Sequence, residues 1–181
     1  MEKKFTNRDL VIMAIIIAIS GPFQLLWAHL CFNLKFLGPI TPLFGNAGFM
    51  IWCYVALYFV PKTGAATIVK TIGAVIEVIG GNPVGLIAIA YGAIEGIAVD
   101  LAFLAFRRKM TINMMIVGAL FSQGLTAPID FIRDAVPFQF IAMLTYWSPG
   151  VAGTVFTGWI SSVVINGLRK AGIWNKQAAK G

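Results

Sequence analysis

Charge is scarce in this chain: Asp, Glu, Lys and Arg make up 12% of its 181 residues, about half the share of an average soluble domain. A polar shell cannot be built from so little. With 59% hydrophobic residues and a mean hydropathy of +0.84, the expected solvent is a bilayer. Histidine occurs once and cysteine twice. Cys31 and Cys53 have no metal-ligand spacing and fix no redox compartment. The sequence has no G-x-x-x-x-G-K-[ST] loop, no H-E-x-x-H and no G-x-S-x-G. That excludes P-loop ATP hydrolysis and leaves nothing for zinc-protease or nucleophile-elbow chemistry. The chain is therefore expected not to be an enzyme and to need no cofactor. Apolar–polar alternation is missing too, which argues against a membrane β-barrel. No internal repeat is visible.

What the sequence does have is long, continuous apolar runs. Backbone groups in lipid must be satisfied within each segment, so the expected fold is an all-α integral membrane bundle forming one domain over residues 1–181. About 20 residues cross ~30 Å of hydrocarbon, and six spans can be placed. Span one is about Asp9 to Leu34, with Asn7 or Asp9 as its cap and a kink expected at Gly21-Pro22. It follows Lys3, Lys4 and Arg8 as a signal peptide would, but it is too long and lacks a small-residue cleavage site. Span two is about Leu43 to Phe59, span three about Gly64 to Ile79, and span four about Pro83 to Phe106. Span five is about Ile112 to Ala127, ended by Pro128; span six is about Phe138 to Leu168, interrupted at Ser148-Pro149-Gly150.

The net charge of +7 does not point to nucleic acid, because the basic residues lie in short clusters between apolar runs. If the N-terminus is inside, cytoplasmic segments hold 11 of the 14 Lys and Arg residues; the exceptions are Lys35, Lys70 and Arg133. The positive-inside rule then puts both termini in the cytoplasm.

Thr63 to Phe106 organises the rest. Two apolar segments joined by Gly80-Gly81-Asn82-Pro83 hold Lys70, Glu77, Glu95 and Asp100. A charge inside hydrocarbon costs at least ~2.5–3.5 kcal/mol, so such residues face a partner or a cavity. From the inner side Lys70 and Asp100 are both ~10 Å deep, which makes them the economical structural pair. Glu77 and Glu95 then lack an obvious basic partner. Carboxylates open to an outer cavity suit a cationic ligand, with aromatics supplying the remaining walls. Trp27, Trp52, Tyr146 and Trp147 lie in the outer halves, with Gln24, His29, Asn33, Asn46, Gln123 and Gln139 as polar handles. Trp27 and Trp147 fit either a pocket or an interfacial belt; Tyr91, deeper in span four, fits pocket or core. His29 suits a polar satisfier better than a metal ligand. Asp130, Arg133 and Asp134 are expected in a solvated outer loop. Ala14-x-x-x-Ala18 in span one and Gly92-x-x-x-Gly96 in span four present small faces that let helices approach closely.

A basic N-terminus, Ala14-x-x-x-Ala18 and six short spans resemble the substrate-binding S components of energy-coupling factor (ECF) transporters. Within that class, the stretch from Glu77-Val-Ile-Gly-Gly-Asn-Pro through Tyr91-Gly-Ala-Ile-Glu-Gly to Asp100 and Arg108 resembles the YkoE group, associated with thiamine or its hydroxymethylpyrimidine precursor. The resemblance implies a multi-pass protein of a prokaryotic plasma membrane. It implies vitamin capture at the outer face and docking on a transmembrane coupling subunit driven by two ATPase subunits. Ala14 and Ala18 then form the docking face, and Glu77, Tyr91 and Glu95 are the matched ligand positions. Asp100 is shorter than the Glu such proteins would place near the end of span four. Three other readings stay open: a subunit for another vitamin, a self-sufficient carrier or channel using the intramembrane carboxylates, and a structural membrane protein.

Overall fold

The computed structural model describes residues 4–37, 40–133 and 140–172, with the side chains of residues 35, 37, 40–44 and 140–147 excepted. Its elements are α1 (Asn7–Asn33), a 3-10 turn (Leu34–Leu37), α2 (Ile40–Phe59), α3 (Ala65–Ile79), α4 (Ile87–Ala105), α5 (Ile112–Arg133) and α6 (Phe140–Lys170). Among the described residues the helices close a ring in the order α1, α3, α4, α5, α6, α2, and α2 also reaches across to α3 and α4.

Helix starts and stops follow local chemistry. The N-cap of α1 is Thr6, not Asn7 or Asp9. Thr6 Oγ1 accepts from the Asp9 amide at 3.3 Å, and Asp9 Oδ2 accepts from the Thr6 amide at 2.8 Å, a reciprocal capping box. Asp9 also pairs with Lys62 at 2.6 Å, tying the start of α1 to the α2–α3 turn. Pro83 lies in the α3–α4 turn, and α4 begins only at Ile87. Pro128 does not end α5, which continues to Arg133, and α6 likewise runs through Pro149. A proline removes one backbone hydrogen bond, which a packed membrane helix tolerates when its neighbours hold the rest.

Among the described residues, four helical segments are long and apolar enough to cross a bilayer: Asn7–Asn33, Ile87–Ala105, Ile112–Arg133 and Ser148–Lys170. The apolar stretch Gly45–Phe59 is shorter, and the 15 residues of α3 reach only ~22 Å. Large apolar side chains cover the outside, with Leu26 71% and Ile19 58% exposed on α1. That surface suits hydrocarbon, and the chain is a multi-pass membrane protein.

The two ends of the bundle differ. Toward the α2–α3 and α4–α5 turns the interior is closely packed around Met13, Tyr54, Leu57, Phe103, Met114 and Ile165. The Tyr54 hydroxyl, fully buried, donates to the Met115 carbonyl at 2.6 Å. Toward the α3–α4 turn the helices part around a cavity.

Candidate functional site

The cavity encloses about 440 Å³ and is lined from α1, α2, α3, the α3–α4 turn, α4, α5 and α6. Its construction starts with two glycines. A Cβ at Gly92 would lie 2.9 Å from the Lys70 carbonyl oxygen, and one at Gly96 would lie 2.5 Å from the Thr67 Cα. Only glycine allows α4 to lie this close to α3 at those points. Their contact fixes the axial register of the pair, with Gly96 opposite Thr67.

That register overturns the expected Lys70–Asp100 pair. Asp100 Oδ2 accepts from the Thr67 amide at 3.0 Å and the Thr67 hydroxyl at 2.5 Å, so it anchors the first turn of α3. Lys70 instead faces Glu95, Nζ to Oε2 at 3.2 Å, and donates to Gln24 Oε1 from α1. Its ammonium also sits 4.8 Å from the centre of the Phe49 ring. Equal depth counted from helix ends misplaced the partner, because glycine contacts rather than helix ends set how α3 and α4 are offset. Glu95 consequently has a basic partner, contrary to expectation.

Glu77 is different. It is 3% exposed, and its Oε2 accepts from the Asn82 side-chain amide at 2.7 Å, a neutral partner. Asn82 is itself set by the turn, since its Oδ1 accepts from the Val84 amide at 2.8 Å and its own N–H donates to the Glu77 carbonyl at 2.9 Å. The Asn82-Pro83 half of the linker is part of the cavity wall.

At the opposite wall the Tyr91 hydroxyl donates to Asp130 Oδ1 at 2.7 Å and accepts from Arg133 Nη1 at 3.0 Å. Arg133 Nη2 lies 3.3 Å from the same Asp130 oxygen. Asp130 and Arg133 were expected in a solvated loop. The continuation of α5 past Pro128 brings both to the cavity, which the helical spacing of the two residues would have signalled had Pro128 not been read as a stop. Asn46 donates to Gln123 Oε1 at 2.6 Å and links α2 to α5.

Of the residues singled out from sequence as ligand-binding, Glu77, Tyr91, Glu95 and Asn46 share the cavity lining. Trp27, Trp52 and His29 do not. Trp27 donates to the Gly45 carbonyl at 2.9 Å and stacks on Phe23, which also meets Trp52 edge-on, so these rings form an apolar wedge beside the wall. His29 is exposed. The side chains of Tyr146 and Trp147, and residues Asp134 and Gln139, lie outside those described. Lys70, Asn82, Asp130 and Arg133 line the cavity without having been assigned to it. Ala14 and Ala18 are exposed on α1, on its apolar outer side.

Among the described residues the lining holds two cations, Lys70 and Arg133, and three carboxylates, Glu77, Glu95 and Asp130, a formal charge of 2 − 3 = −1. Lys70 offsets Glu95 and Arg133 offsets Asp130. The remaining negative charge is that of Glu77. No group of three or more His, Cys, Asp and Glu residues suited to a metal ion occurs among the described residues.

The chain is 27% identical over 190 residues to the "Putative HMP/thiamine permease protein YkoE" of Bacillus subtilis (strain 168), covering 97% of this chain and 90% of that protein. A solved structure described as "Crystal structure of an S-component of ECF transporter" superposes with a TM-score of 0.80 at 24% identity, covering 94% of this chain and 88% of the other. The fold is that of an ECF S component. Residues 8–125 match the family model described as "ABC-type cobalt transport system, permease component". A membrane transport component rather than an enzyme, the chain belongs to this permease-component family.

Proposed function

We propose that the chain is the substrate-capture subunit of an ECF-type vitamin importer and that it binds thiamine or its hydroxymethylpyrimidine precursor. The observation that carries this reading is the −1 charge of the described lining, in which Glu77 is buried against a neutral amide while each of the other described lining charges has an opposite partner. A buried carboxylate so placed gains most from a cationic group on a ligand. Cavities of this size hold a single small molecule. The kinship with a putative HMP/thiamine permease supports a nitrogen-containing ring as that molecule.

In this reading the cavity opens to the outer face of a prokaryotic plasma membrane, all six helices span it, and both termini are cytoplasmic. The exposed Ala14–Ala18 face of α1 docks on a transmembrane coupling subunit driven by two ATPase subunits. The test is titration of the purified full-length protein with thiamine and with hydroxymethylpyrimidine. Glu77→Gln keeps the shape and removes the charge, and losing a charged hydrogen bond costs ~1.5–3 kcal/mol. Affinity for the cognate ligand should then fall ~10- to 100-fold. Equal affinity of the wild type and Glu77→Gln would refute the assignment.

A further inference from the structure

Lys70 is the most buried cation of the cavity, and its surroundings are those of a bound ligand. Phe49 presents its ring face 4.8 Å from Nζ. Glu95 supplies a carboxylate at 3.2 Å, and Gln24 turns its side-chain oxygen toward the same nitrogen. Aromatic face, carboxylate and carbonyl oxygen together make a cage for an ammonium ion. Gln24 shows the cost of this arrangement. It is fully buried, and with its oxygen given to the cation, its Nε2 has no hydrogen-bond partner.

We infer that Lys70 is a tethered cation occupying a second cation subsite of the cavity, and that by filling it the residue limits the pocket to ligands carrying one positive charge. Glu77 remains for the ligand, while the Phe49–Glu95–Gln24 cage is closed to it by the chain's own ammonium. With Lys70 in place the described lining carries one negative charge in excess; without it the excess is two, and the cage is vacant. Lys70 is thus a specificity-determining residue. The part of this inference that concerns the ligand rests on the proposed function, whereas the part that concerns the cage does not.

The two parts are tested separately on the purified full-length protein. Lys70→Ala removes a three-carbon stem and its amine, which are the atoms of propylammonium. Added propylammonium should raise the melting temperature of Lys70→Ala by several degrees. It should leave the wild type, where the cage is filled, and Lys70→Ala/Glu95→Gln, where the carboxylate is gone, unmoved. If Lys70→Ala needs the cation in order to fold, propylammonium present during extraction should recover folded protein. A Lys70→Ala protein neither stabilised nor recovered by propylammonium overturns the cage.

The second measurement is thiamine affinity. Lys70→Gln keeps a polar side chain and removes the charge, and its affinity for this cation should rise about tenfold. A fall in Lys70→Gln would mean that Lys70 touches the ligand directly, and would overturn the tethered-cation role. A wild type that binds neither thiamine nor its pyrimidine removes the proposed substrate, and the propylammonium result still decides the cage. A wild type that binds thiamine beside an unresponsive Lys70→Ala leaves the function standing and removes the cage.

Discussion

Thr67, two residues into α3, shows how much a single hydroxyl can carry in a membrane interior. Its amide and its hydroxyl both donate to Asp100 Oδ2, so one carboxylate oxygen holds the helix start from the neighbouring helix. Thr67→Val keeps the shape and deletes one charged hydrogen bond, and stability should drop by about 1.5–3 kcal/mol. Thr67 does not line the cavity, so ligand affinity should stay unchanged; denaturation and titration of the same sample check both halves. The Lys70–Glu95 pair should respond differently. Replacing Lys70 by Met strands Glu95, with an expected loss of about 3 kcal/mol or more, and adding Glu95→Leu should restore most of it. Non-additivity in that cycle identifies the pair, and simple additivity would show that the two side chains do not interact. The sequence alone made Lys70, Glu77, Glu95 and Asp100 conspicuous, because each is costly in hydrocarbon. Who partners whom was not legible, since that depends on offsets of a few ångströms between helices.

Those offsets belong to the elements. Gly92-x-x-x-Gly96 was readable as a close-approach face, and it serves as one, but only the packed pair reveals that it sets the α3–α4 register. At Gly96 even a methyl group would meet the Thr67 backbone. Gly96→Leu should therefore push α4 off α3, separate Glu95 from Lys70 and abolish ligand binding together with most folded protein. Gly167 in α6 is the contrast. A Cβ there meets nothing within 4 Å, so Gly167→Ala should stabilise by up to about 1 kcal/mol through helix propensity alone. Thermal denaturation of the two variants in one detergent tests the pair of expectations. The helix boundaries were readable from the apolar runs to within a few residues for most helices. The large miss was at α5. Proline ends helices in water more often than in a packed membrane bundle, where the surroundings satisfy the freed carbonyl. That miss hid Asp130 and Arg133, one of the two ion pairs described in the cavity lining, which lies within two turns of the assumed terminus.

At the scale of the whole molecule the bundle has a solid half and a hollow half, and function is expected to divide along the same line. Ala14 and Ala18 lie on the outside of α1, beside the solid half, one turn apart and on one face. Ala14→Trp should leave ligand affinity within about twofold of the wild type and abolish co-purification with coupling subunits, because bulk on a small-residue face keeps helices apart. Loss of ligand binding in the isolated variant would instead make α1's outer face part of the fold's own packing and favour a self-contained carrier.

The length of α3 has a consequence for the lipid around it. Ile72, Val75 and Ile79 form an exposed stripe along its outer side, so in the proposed six-span arrangement this helix meets acyl chains directly, yet offers them only ~22 Å where an average leaflet pair spans ~30 Å. In that arrangement the membrane dimples there, and elastic compression costs a fraction of a kcal/mol for each ångström of mismatch. Long-chain phosphatidylcholine should accordingly stiffen the surroundings and lower the protein's melting temperature relative to short-chain phosphatidylcholine at equal headgroup composition. Two such dimples lose strain by merging, and a thin annulus would then draw toward this chain any partner helix that is itself too short for the bilayer.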